Sequence, residues 1–166
     1  MEKNIVLIGM PASGKSTVGV ILAKMLGMNF IDTDLVIQKR EDALLHEIIK
    51  SKGIDGFLKC EENAVMSIDT DNSIIATGGS VVYSEKAMNH LSENGKVVYL
   101  KVDKKELFLR LKNINERGVV LRGGESLEEM YDARSVLYEK YAELIIEEVN
   151  CLIEDTVGKI IDSLNK

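Results

Sequence analysis

The chain has 166 residues, 45% of them apolar and 29% charged, with a formal net charge of −6. That length suits one domain able to bury its own core without disulfide or metal staples. The acidic balance argues against a nucleic-acid or anionic-membrane surface, because no basic face is available to release counterions, although it leaves room for a local basic pocket.

The N-terminal residues run straight into a strand pattern over 4–9, with no apolar stretch long enough for a signal peptide or a membrane span. The strand leads into "GMPASGKST", residues 9–17, which holds the chain's only proline. A helical pattern over 15–26 follows, closed by Gly27, since glycine accepts the left-handed cap. The next strand, 29–32, ends in "FIDTD" and gives way to helical patterns over 35–50 and 56–68. A strand over 73–77 runs out into "ATGGSVV". A helix over 84–94 is capped by Ser84 and stopped by Gly95. Then come a strand over 96–102, helices over 104–113 and 127–147, a strand over 150–153 and a last helix over 157–164. Strands alternating with helices predict an α/β fold, a parallel sheet covered on both faces. Cys60 and Cys151 stand far apart, outside any ligand spacing, and read as packed thiols; a reducing cytoplasm fits them.

Gly9 to Ser16 fits the pattern G-x-x-x-x-G-K-[ST]. Its glycines let the backbone curl so that successive N–H groups face phosphate oxygens. Lys15 neutralises the outer phosphates, Ser16 offers a hydroxyl to Mg2+, and the helix that begins here aims its positive end at the same place. A strand before and a helix after complete the context, so the chain is expected to bind a nucleoside triphosphate with magnesium. The motif by itself leaves open a switch, a motor or a kinase.

In an open parallel sheet ligands sit beyond the carboxyl ends of the strands, which brings Asp32 and Asp34 to the same rim as the phosphate loop. Two positions apart, they share a side if the strand continues. One could steady magnesium while the other accepts a proton from a substrate hydroxyl. Gly78 and Gly79 let a small ligand approach the backbone closely. Of five arginines, Arg110, Arg117, Arg122 and Arg134 fall within or beside "ERGVVLRGGES", residues 116–126. That glycine-rich stretch reads as a surface loop or, more sharply, as a lid whose arginines swing over phosphates.

Together "GMPASGKST", "DTD", "TGG", the spacing of Arg110 and Arg117, and "RSVLYEKYA" resemble the shikimate kinases, within the nucleoside-monophosphate-kinase-like group of P-loop proteins. The resemblance covers nearly the whole chain and keeps the order of the motifs. It implies a five-stranded parallel sheet of order 2-3-1-4-5 in a single kinase unit over 1–166. An acceptor-binding helical segment lies at about 35–68 and a lid at about 116–126. It implies that Ala12, Ser13, Gly14, Lys15, Ser16 and Thr17 wrap the phosphates of ATP, with Ser16 on Mg2+ and Asp32 behind it. Asp34 then binds the acceptor's hydroxyls and serves as base, Gly78 and Gly79 line the acceptor, Arg110 lies against adenine, Arg117 reaches the phosphates and Arg134 grips the acceptor's carboxylate. The implied activity is transfer of a phosphoryl group from ATP to shikimate, by a cytoplasmic monomer whose only partner is a small molecule, with no nucleic acid and no membrane.

Four departures from the family pattern stand out. Leu58 follows Phe57 where the family has an arginine that pairs with the acceptor's carboxylate. Ser80 replaces the third glycine of G-G-G, Gly118 the proline after the lid arginine, and Val136 the proline of R-x-P-L-Y. A bidentate arginine–carboxylate bond contributes on the order of 1.5–3 kcal/mol, so Leu58 bears on the acceptor's identity. Two alternatives therefore stand beside shikimate: another small polyol or hydroxy acid as acceptor, or a nucleotide-binding regulator without this activity.

Overall fold

The computed structural model describes residues 4–112, 120–148 and 152–165. Its centre is β1 (Asn4–Ile8), whose five residues are all buried. Alternate side chains of β1 enter opposite layers, as a strand covered on both faces requires. Ile5 and Leu7 pack with Val18 and Leu22 of α1 (Lys15–Leu26) and with Val157 and Ile160 of α7 (Ile153–Leu164). Val6 and Ile8 pack on the other face with Val65 of α3 (Leu45–Met66), Met88 of α4 (Glu85–Asn94), Leu107 of α5 (Lys104–Lys112) and Tyr138 of α6 (Leu127–Tyr141). With β2 (Asn29–Asp32), β3 (Ser73–Ala76), β4 (Gly95–Val102) and β5 (Leu144–Glu148), the sheet is parallel and ordered β2-β3-β1-β4-β5, as expected. This order puts β1 beside β3 and leaves the ends of β1, β2 and β3 on one rim.

A third apolar cluster lies away from the sheet. Ile37 of α2 (Thr33–Glu41) meets Ile48, Phe57, Cys60 and Ala64 of α3, and Val120 joins them from within the 116–126 stretch. Leu58 packs against this same cluster.

Four expectations are corrected. The fifth strand is 144–148 instead of 150–153, and the preceding helix stops at Tyr141 rather than running to 147. The Leu144-Ile145-Ile146 run suits a strand, and the extended backbone of Ala142 ends the helix before it. The predicted helix over 35–50 is two: Asp42 adopts the left-handed conformation (φ 50°) that closes α2. Gly53 (φ 70°) then kinks α3, which is the break expected between 50 and 56. Gly95 is no left-handed cap, since its backbone is extended and opens β4. Its missing side chain serves close approach instead, because a Cβ would lie 2.9 Å from the Asn4 carbonyl oxygen. Gly27 (φ 69°) and Ser84, which accepts from the Ala87 N–H at 3.0 Å, cap as expected. Among the described residues no helix is long and apolar enough to cross a membrane. Cys151 lies outside them.

Candidate active site

The turn from β1 into α1 is built to curl. Gly9 (φ 149°) would drive a Cβ to 2.7 Å from the Leu100 carbonyl oxygen, and Gly14 (φ 86°) is left-handed. Between them Ala12 (φ 64°) holds the same left-handed state, and the Ser13 N–H donates to the Met10 carbonyl at 3.1 Å. No side chain caps α1, so the N–H groups of its first turn and its positive dipole end face the cleft together. Lys15, 7% exposed, donates to the carbonyls of Gly9 (2.9 Å) and Met10 (2.7 Å) and to Ser13 Oγ (3.3 Å). Burial pulls its pKa down to about 8, against the attraction of Asp34.

Asp32 ends β2 and does two things. Its Oδ2 accepts from Ser16 Oγ at 2.7 Å, and its Oδ1 caps α2 by accepting from the Asp34 N–H at 2.9 Å. The strand therefore does not continue to Asp34, as the sharing of one side assumed. Asp34 sits in the first turn of α2 and still lines the cleft. Burial and the neighbouring Asp32 raise the Asp34 carboxyl to about 6, while Lys15 opposes them.

Beyond β3 the chain passes close under the other residues of the rim. The Gly78 N–H donates to Thr33 Oγ1 at 3.1 Å, and a Cβ on Gly78 would lie 2.4 Å from Glu61 Oε1 and 3.0 Å from Asp34 Oδ1. A Cβ on Gly79 would meet the Pro11 ring at 2.8 Å, and the Gly79 carbonyl accepts from Tyr138 Oη at 2.5 Å. Only glycine fits either place.

Arg134, on α6, is 1% exposed. It donates from Nε to Tyr83 Oη at 3.2 Å and from Nη2 to the Val120 carbonyl. None of the ion pairs among the described residues includes it. Arg110 donates to Glu106 Oε1 at 3.0 Å, to the Ala12 carbonyl at 3.3 Å and to Glu148 Oε2 at 3.4 Å, which ties α5 to the phosphate loop. Arg122 stacks over the Tyr83 ring at 4.0 Å. Arg117 lies outside the described residues, as does 116–119 of the lid stretch; the described part runs from buried Val120 to Ser126.

Ala12, Gly14, Lys15, Ser16, Thr17, Asp32, Asp34, Gly78, Gly79, Arg110 and Arg134 thus line one cleft of about 920 Å³. Ser13, within the loop, is fully buried. Sequence reasoning missed Glu61, which lines the same cleft and accepts from Ser80 Oγ at 2.6 Å. A signal for it existed. Phe57, Cys60, Ala64 and Val65 mark the buried stripe of α3, and Glu61 is the one charged residue on that stripe.

A family model described as shikimate kinase matches residues 11–165. A shikimate kinase of Clostridium botulinum (strain Okra / Type B1) is 39% identical over 168 residues, spanning 99% of this chain and 97% of that protein. One from Mannheimia succiniciproducens is 34% identical over 172 residues, spanning 99% and 98%. Among solved structures, shikimate kinase from Acinetobacter baumannii in complex with shikimate superposes with a TM-score of 0.89 at 28% identity, covering 99% of this chain and 93% of that one. Shikimate kinase from Aquifex aeolicus gives 0.85 at 31% identity, covering 98% and 96%. With a phosphate loop, an acidic rim and a buried arginine in one cleft, and likeness running over nearly its whole length, the chain belongs to the shikimate kinase family.

Proposed function

We infer that the protein transfers the terminal phosphoryl group of ATP to a hydroxyl of shikimate, giving shikimate 3-phosphate in aromatic amino-acid biosynthesis. The observation that carries this reading is Arg134, a buried guanidinium with no carboxylate among its described partners, in the cleft that also holds the phosphate loop. A charge so placed calls for an anion supplied by the ligand, and shikimate carries a carboxylate on a ring of hydroxyls.

The phosphoryl transfer passes through a loose transition state, so the work is positioning and charge stabilisation. Ala12 to Thr17 cradle the phosphates with their N–H groups, and Lys15 turns from the loop carbonyls to the outer phosphates. Asp34, ionised at neutral pH with a pKa of about 6, accepts the hydroxyl proton. Gly78 and Gly79 give the acceptor room, and Arg134 holds its carboxylate. Arg110 flanks the nucleotide and Arg117 belongs to the lid over 116–126, in one kinase unit whose acceptor segment is about 35–68. Ser16 Oγ and Asp32 Oδ2 are hard oxygen donors on the exposed side of the loop, which suits Mg2+ keeping most of its waters. Bound there, Mg2+ would offset charge on the phosphates. The reading needs one chain, a small-molecule acceptor and a cytoplasmic supply of ATP, with no nucleic acid or membrane.

ADP release tests it. Shikimate should stimulate release strongly, and quinate or nucleoside monophosphates should not. Lys15→Ala, with its fold verified, should abolish the stimulated rate. Equal stimulation by a nucleoside monophosphate, or none by shikimate, would overturn the assignment.

A further inference from the structure

Among the described residues that line the cleft, Glu61 is the one with a fully buried side-chain oxygen that has no hydrogen-bond partner. It is 2% exposed, its Oε2 accepts from Ser80 Oγ at 2.6 Å, and its Oε1 has no hydrogen-bond partner. That free oxygen faces the space left by Gly78, where Asp34 Oδ1 converges from α2. The charged groups facing Glu61 are Asp34 on α2, Lys15 on α1 and Arg134 on α6. Leu58, three residues earlier on the same helix, is turned into the apolar cluster and gives Glu61 no cation.

We propose that Glu61, as a neutral acid, donates its Oε1–H to the acceptor's carboxylate beside Arg134, with Ser80 fixing the carboxyl group. This rests on shikimate being the acceptor. Two buried carboxyls converging on one point do not both ionise readily. Burial raises Glu61 to about 7, Asp34 adds to that, and Ser80, Arg134 and Lys15 oppose it without prevailing. Because the Ser80 hydroxyl occupies Oε2, the proton belongs on Oε1, the oxygen without a partner. A buried acid held neutral is a hydrogen-bond donor at neutral pH. It supplies one of the donors that relatives draw from an arginine after the phenylalanine. A carboxylate bound against it favours the protonated form further, so binding takes up a proton.

Calorimetric titration of shikimate into the full-length protein at pH 8, in buffers of different ionisation enthalpy, reads that proton. Uptake approaching one proton per shikimate is expected. The KM for shikimate should rise up to about tenfold per pH unit above pH 7, with kcat moving less. In Glu61→Gln the amide oxygen still accepts from Ser80 and the amide nitrogen donates where Oε1–H did. Uptake should vanish and KM should become flat between pH 7 and 8. Ser80→Ala removes a hydrogen bond that favours the ionised form, so the alkaline rise in KM should move to higher pH. Proton uptake that survives in Glu61→Gln, or a KM slope unchanged in both variants, would overturn the role of Glu61 while leaving shikimate as acceptor. Failure of the wild type to bind shikimate at any pH would instead overturn the acceptor assignment, and this role with it.

Discussion

Leu58 is the departure from the family pattern that bears most directly on the acceptor. Its side chain packs against the apolar cluster that holds Ile37, Ile48 and Phe57, while Glu61 and Arg134 line the cleft. Leu58→Arg would place a guanidinium three residues before Glu61 on α3, a spacing at which helix side chains meet. The pair would ionise Glu61 and present a second arginine to the acceptor. The KM for shikimate should fall about tenfold at pH 8, by the magnitude of a charge-assisted hydrogen bond. The turnover number should change little, since the carboxylate binds alike in ground and transition states. Steady-state kinetics on shikimate checks this; an unchanged KM would place the carboxylate elsewhere. Losing a partly buried leucine should also cost about 1 kcal/mol of stability.

At the scale of elements, the site is a meeting of ends: β1 into α1, β2 into α2, β3 into the loop at Gly78, with α3 and α6 closing the side. The tolerance is smallest at Gly78. Gly78→Ala would press a methyl between Glu61 Oε1 and Asp34 Oδ1, and a displacement of about 1 Å at such a point costs roughly a hundredfold in rate. Shikimate turnover should drop by about that factor, while equilibrium binding of ATP should hold. A parallel loss of ATP affinity would mean that Gly78 supports the phosphate loop instead. These ends were legible in the sequence because short motifs with fixed conformational needs mark them: Gly9 and Gly14 demand positive φ, and Ser84 announces a cap. The fifth strand and the break at Asp42 were not. Leu144 to Ile146 continue a helical apolar pattern, and only their place beside β4 makes them strand. Asp42 turns left-handed with no glycine to signal it. Glu61 escaped notice because a carboxyl on a buried stripe has meaning only once Ser80 and Gly78, far along the chain, are set against it.

For the molecule as a whole, the cleft carries a stability cost that depends on pH. Glu61 has a folded pKa of about 7 against 4.5 for an unfolded chain, so between those values the folded state holds a proton that the unfolded state has released. Stability contributed at Glu61 therefore falls as pH rises from about 4.5 to about 7 and stays low above, on the order of 3 kcal/mol in all. Asp34, raised to about 6, adds a loss of the same sign. Denaturant unfolding of the ligand-free protein at pH 5 and pH 8 reads the difference between wild type and Glu61→Gln. The variant should gain relative to wild type at pH 8, and equal midpoint shifts in both proteins would show that Glu61 ionises normally.

The account stands on phosphoryl transfer to shikimate, and phosphorus NMR of the protein with ATP, Mg2+ and shikimate watches that transfer itself. A phosphate monoester resonance should grow one for one with ADP, vanish when shikimate is omitted, and be lost in Asp34→Asn. ADP accompanied by inorganic phosphate alone would make water the acceptor and contradict it.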